Sequence, residues 1–129
     1  MWKPLDDEFE FTLDVAASKE NTKCTNYISE EQDAMRVSWS GACWLNPPYG
    51  RGYSLSAWVR RANEQAKNGC IVVMLIPART NTEWWHTYCQ PAEVRFVRGR
   101  PKFGGAKYGL PWPLAIVIMK PDKKRNPDD

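Results

Sequence analysis

Apolar positions along the chain fall into short blocks separated by polar, proline- or glycine-containing stretches, and the spacing inside each block predicts an element. Residues 1–9 are mostly polar and carry Trp2 and Pro4. Phe9 to Ala17 alternates and then turns apolar, the pattern of a strand running into a small-residue loop. Residues 18–32 are polar apart from Tyr27-Ile28, a short-strand candidate, and Gly41-Ala42-Cys43-Trp44-Leu45 is compact and apolar enough for a buried strand. Ser54 is placed to cap a helix whose stripe is Leu55, Trp58, Val59, Ala62 and Ala66, and Gly69 is placed to end it. Cys70 to Ile76 is continuously apolar and rich in β-branched residues and stops at Pro77, as expected of a central strand covered on both faces. Thr80 or Thr82 would cap a short helix through Trp84, Trp85 and Tyr88. Val94–Val97 and Leu114–Met119 read as two more strands, on either side of the glycine- and proline-rich loop Gly99–Pro113. A domain over residues 1–120 is expected, with 121–129 a charged, disordered tail. No internal repeat is visible.

Strands alternating with helices predict an open α/β sheet with a largely parallel core. In such sheets, ligands bind beyond the carboxyl ends of the strands. Asp14, Asn46 and Pro77-Ala78-Arg79 all fall at predicted carboxyl ends, so their loops should meet along one rim.

Composition narrows the classes. A chain of 129 residues with 43% hydrophobic and 26% charged residues fits one ordinary globular domain. Nothing approaches a membrane span or an export signal, so a cytoplasmic protein is expected. Four scattered cysteines and the single His86 do not suggest a zinc site, and Cys43 and Cys70 read as buried thiols rather than disulfide partners. The net charge of +3 is a weak sign of a polyanionic partner. Its distribution says more, because acidic residues crowd the first third. Arg51, Arg60, Arg61, Arg79, Arg95, Arg98, Arg100, Lys102 and Lys107 follow later. A one-sided basic surface can hold phosphates, and a plain solvated surface accounts for the same charges equally well.

The most informative residues are Asn46-Pro47-Pro48-Tyr49, at the end of a predicted strand and before the loop Gly50-Arg51-Gly52. Asn46 offers a side-chain carbonyl, and Pro47 a backbone carbonyl in a residue with no N–H. Together they can accept both hydrogens of one exocyclic amine. The two prolines stiffen the turn, so little ordering entropy is lost on binding, and Tyr49 offers a face for stacking a base. A given tetrapeptide arises by chance about once in a thousand chains of this size.

Leu13-Asp14-Val15-Ala16-Ala17-Ser18, Asn21, Lys23-Cys24, Tyr27, Asp33-Ala34, Trp39, Asn46-Pro47-Pro48-Tyr49-Gly50, Trp58-Val59, Leu75-Ile76-Pro77-Ala78-Arg79-Thr80, Trp85 and Gly99-Arg100 occur in one order. In that order the chain resembles the phage-type DNA N6-adenine methyltransferases, over roughly residues 9–119. The resemblance implies a compact, single-domain, Rossmann-like fold that uses S-adenosylmethionine (SAM). It implies that Asp14, Ala16, Ala17 and Ser18 lie beside the methionine part of SAM and Asp33 near its adenosine end. It also implies catalysis by Asn46, Pro47, Pro48 and Tyr49 on the N6 amine of adenine in DNA, with no metal. Arg51, Arg79 and Arg100 are the candidates for phosphate contacts. The chain departs from the family pattern in having no glycine in Ala16-Ala17-Ser18. It also has a shortened amino-terminal segment, where no helix is expected before the first strand. The same turn would serve a glutamine amide or cytosine, and a non-catalytic nucleic-acid-binding remnant of the fold is the alternative from another class.

Overall fold

The computed structural model describes residues 2–48, 52–99 and 113–121. Five strands form one mixed sheet: β1 (Leu13–Asp14), β2 (Ala42–Leu45), β3 (Ile71–Pro77), β4 (Glu93–Phe96) and β5 (Leu114–Met119), in the order β1-β2-β3-β5-β4. β1, β2 and β3 run parallel, whereas β5 is antiparallel to both of its neighbours. The parallel part of the sheet is thus confined to its first three strands. The register sets Asp14 beside Trp44 and Leu45 beside Met74, and β3 continues outward to Pro77. The carboxyl ends of β1, β2 and β3 therefore share one edge, as the alternation of elements predicts.

Each face of the sheet has its own core, because side chains alternate along a strand. Cys43, Leu45, Val72, Met74, Ile76, Ala115 and Val117 face helix α2 (Leu55–Lys67) and the π-helical turn Trp85–Cys89. Trp44, Val73, Leu75, Leu114, Ile116 and Ile118 face the other way, onto Leu5, Trp2, Phe9 and Phe11. β3 is buried from Val72 to Pro77, which is the two-sided burial expected of it. In α2, Ser54 caps as expected, its Oγ accepting the Ala57 N–H at 3.1 Å. Thr82, not Thr80, meets the π-helical turn, its Oγ1 accepting the Trp85 N–H at 3.3 Å. The four cysteines are free thiols, three of them buried.

Three sequence expectations are corrected. The amino-terminal segment is a helix, α1 (Trp2–Phe9), whose Leu5 is buried and whose Trp2 and Phe9 pack on the second face. Pro4 is tolerated because it stands in the first turn, where its missing N–H has no intrahelical partner to lose. Glu10 ends the helix at a φ of +53°, with its N–H on the Asp6 carbonyl at 2.7 Å. Consequently the strand expected within Phe9–Ala17 shrinks to Leu13–Asp14. Tyr27 adds one bridge on the outer side of Asp14, in place of a strand of its own. The Gly99–Pro113 loop and the charged tail lie outside the described residues, apart from Gly99, Pro113 and Pro121.

Candidate active site

The edge where the three parallel strands end carries most of the residues that the sequence singles out. Asp14 closes β1 and is 3% exposed. Its Oδ2 accepts the Lys23 N–H at 2.8 Å, while the buried Oδ1 makes no hydrogen bond of full geometry, the Ala16 amide giving it only a weaker contact. Burial pushes its pKa up, and the Lys23 and Ala16 amides pull part of the way back. A desolvated carboxylate with a weakly bonded oxygen is costly on its own and favours a cationic or N–H-bearing ligand.

The chain after Asp14 is held by its backbone. The Val15 N–H donates to the Trp44 carbonyl at 2.9 Å and the Ala17 N–H to the Ile28 carbonyl at 3.1 Å. The Ser18 N–H donates to Asn21 Oδ1 at 2.7 Å. Ala16, Ala17 and Ser18 are half-buried. Small side chains at these positions leave the backbone accessible, the role that glycine has in nucleotide-binding loops.

Asn46 directly follows β2 and is half-buried; Pro47 is fully buried and Pro48 exposed. At the end of β3, the Ala78 N–H donates to the Pro113 carbonyl at 2.9 Å, and Arg79 is exposed. Tyr49, Arg51 and Arg100 lie outside the described residues.

Asp33 is held by a partner that sequence reading misses. Its Oδ1 accepts the Met35 N–H at 3.0 Å and its Oδ2 the Tyr53 hydroxyl at 2.6 Å. The Tyr53 hydroxyl first, and then the Met35 amide, hold the Asp33 carboxyl below its ordinary value, and the carboxylate raises the Tyr53 hydroxyl in turn. Nothing in the sequence pairs these residues. Tyr53 reads only as the residue before a helix cap.

The basic residues divide. Arg95 is bound to both Glu8 oxygens at 2.7 Å and to Glu93 at 2.7 Å, and its guanidinium lies over the Phe9 ring. Arg61 donates to the carbonyls of Ala34 and Val37, at 3.1 and 2.7 Å. Both are thus already engaged within the protein, Arg61 partly buried and Arg95 at the surface, which makes them weaker candidates for phosphate contacts than charge distribution alone suggests. Among the described residues, no group of histidine, cysteine and carboxylate side chains could hold a metal ion, and no helix is long and apolar enough to cross a membrane.

The sequence model of one family, DNA N-6-adenine-methyltransferase (Dam), matches residues 1–124. A DNA N-6-adenine-methyltransferase of Haemophilus phage HP1 is 36% identical over 76 residues, covering 58% of this chain and 43% of that protein. One from Escherichia phage T1 is 36% identical over 77 residues, covering 58% of this chain and 31% of that protein. The matched part of the chain thus spans less than half the length of either relative.

Proposed function

Because the chain belongs to the DNA N-6-adenine-methyltransferase (Dam) family, we propose that it transfers a methyl group from SAM to the N6 amine of adenine in DNA, on a Rossmann-like sheet. The observation that carries this reading is the pairing of two features on one edge. One is the buried Asp14 carboxylate, whose Oδ1 makes no hydrogen bond of full geometry; the other is the Asn46-Pro47-Pro48 turn at the end of the neighbouring strand.

The residues present fit SAM. Asp14 would accept from its ammonium group, Ala16, Ala17 and Ser18 would line its approach, and Asp33 would accept from its adenosine end. SAM, when bound, supplies a methyl group on a positively charged sulfur that leaves with the carbon–sulfur bonding pair.

The chain's own work is on the acceptor. The adenine N6 lone pair is delocalised into the ring and is a poor nucleophile while the amine stays planar. Hydrogen bonds from its two N–H groups to Asn46 Oδ1 and the Pro47 carbonyl favour a pyramidal nitrogen and free the lone pair. The amine proton becomes acidic once the new carbon–nitrogen bond forms and passes to water, so no strong base is required. Positioning and preorganised acceptors supply most of the acceleration. A duplex adenine must leave the stack to reach the turn, and stacking on Tyr49 offsets part of that unfavourable step of a few kcal/mol. Arg51, Arg79 and Arg100 would hold phosphates around the opening.

The reading as a non-catalytic remnant leans on the short segment before the first strand, which the structure folds as the eight-residue helix α1 on the second face of the sheet; the intact Asn46-Pro47-Pro48-Tyr49 turn favours catalysis, since a pure binding module has no need of Asn46. The test is transfer of label from SAM to adenine-containing DNA, with calorimetry of SAM binding beside it. Heat from SAM together with labelled N6-methyladenine supports the proposal. No heat at millimolar SAM, or label in protein and none in DNA, overturns it.

A further inference from the structure

Asp33 has a φ of +65°, in the left-handed region that aspartate enters more readily than most residues because its carboxylate can bond the nearby backbone, here the Met35 N–H. Its partner Tyr53 reaches it from a different part of the chain. Tyr53 follows the Asn46-Pro47-Pro48 turn and directly precedes Ser54, the cap of α2. The Tyr53 ring stands edge-on to Trp58, with centroids 6.0 Å apart, and is 43% exposed. Among the described residues, only Phe96 is another large apolar side chain exposed to that degree.

A hydrogen bond at so wet a position adds little to stability, since water competes for both partners. The Met35 bond accounts for the backbone at Asp33, so folding alone gives a poor reason for an exposed tyrosine to reach the same carboxylate. Placement at the rim gives a better one. The bond joins the segment between β1 and β2 to the chain leaving the Asn46 turn. In the function proposed above, those two segments serve the cofactor and the base respectively.

We propose that Tyr53 is a positioning residue for methyl transfer: its hydroxyl orients the Asp33 carboxylate toward the adenosine end of SAM, and the same bond ties the chain beyond the Asn46 turn to the cofactor side of the rim. This rests on the reading that SAM binds at this edge. Each Asp33 oxygen accepts one hydrogen bond from the protein and keeps a further lone pair, enough for a ribose hydroxyl or an exocyclic amine. The Met35 amide and the Tyr53 hydroxyl fix both oxygens, so the carboxylate is oriented before the ligand arrives.

The test is Tyr53→Phe, which keeps the ring and its edge contact with Trp58 and removes only the hydroxyl. Calorimetry with SAM, the KM for SAM, kcat and the melting temperature are compared with wild type. The expected result is a rise in Kd and KM for SAM of about five- to tenfold, with kcat and melting temperature nearly unchanged. Asp33→Asn should show at least the same loss. The double variant should be no worse than Asp33→Asn alone, because Tyr53 acts through Asp33. A Tyr53→Phe protein that binds SAM within twofold of wild type overturns the proposal. So does one whose kcat and melting temperature fall together while KM stays put, which is the pattern of a structural bond. Wild-type protein that binds no SAM overturns the parent reading too, so the two failures are told apart by the wild-type control.

Discussion

Asp14 concentrates the conflict between folding and function in one side chain. Burial raises its pKa, so its charged form is disfavoured in the folded state. For a carboxyl group shifted in this direction, the sign is the reverse of the usual salt-bridged case. Its contribution to stability is fully present below the unfolded value of ~3.9 and is lost as pH rises through the higher folded value. Asp14→Asn removes the charge and keeps an acceptor for the Lys23 N–H. Without ligand, that variant should melt a few degrees above wild type at neutral pH, with the difference shrinking toward pH ~4. The same variant should bind SAM more weakly, by about 1.5–3 kcal/mol if a charge-assisted bond is lost. Thermal melts from acid to neutral pH, with and without SAM, check both halves. A variant that is no more stable but binds SAM normally would show that Oδ1 has no part in the site.

The helices and strands differ in how they are anchored, and that sets what their disruption does. Gln65 is a polar side chain within the buried stripe of α2, with its Oε1 accepting the Trp39 N–H at 2.8 Å. Gln65→Ala would leave that buried amide unpaired and should destabilise by about 1–3 kcal/mol. Arg95→Ala should have less effect, about 1 kcal/mol or below, because the Glu8 and Arg95 side chains are 45% and 41% exposed. Chemical denaturation of the two variants should rank them in that order; the reverse ranking would mean that α1 depends on the Arg95 clamp more than on its apolar face. The stripe of α2 and the two-sided burial of β3 are legible in the sequence because 3.6- and 2-residue periods report directly on buried faces. The role of Gln65 is not, because its partner is remote in sequence. α1 escapes sequence reading although Trp2, Leu5 and Phe9 have helical spacing. A helix of eight residues is marginal alone and owes its existence to the sheet face it covers. β1 is shorter than its alternation suggests for a related reason, since alternation does not count partners. Phe9 is taken by α1, and past Asp14 only single backbone bonds, Val15 N–H to Trp44 and Ala17 N–H to Ile28, continue toward the neighbouring segments.

Across the whole molecule, the order β1-β2-β3-β5-β4 brings Asp14, Asn46 and Arg79 to one edge from distant parts of the sequence. Strand ends can be read from the apolar blocks, so the rim is legible without the fold. The Asp33–Tyr53 link is not, since a turn residue gives no sign of which loop it will meet. If the rim takes DNA, binding should weaken steeply with salt, and Arg51→Glu with Arg79→Glu should weaken it for all sequences alike. For each phosphate that the variant no longer neutralises, the slope of log affinity against log salt should become shallower by ~0.9 on duplex DNA. Affinity that is flat between low and moderate salt would argue against a phosphate-lined opening. Whether this edge holds a methyl acceptor at Asn46 is decided by Asn46→Ala, with SAM binding and methyl transfer to DNA measured on the same preparation. SAM affinity and melting temperature should stay close to wild type while transfer slows by about a hundred- to a thousandfold, the usual consequence of deleting one preorganised hydrogen-bonding group from a reacting centre. An Asn46→Ala protein that methylates DNA at the wild-type rate would contradict the assignment of Asn46 to the acceptor amine.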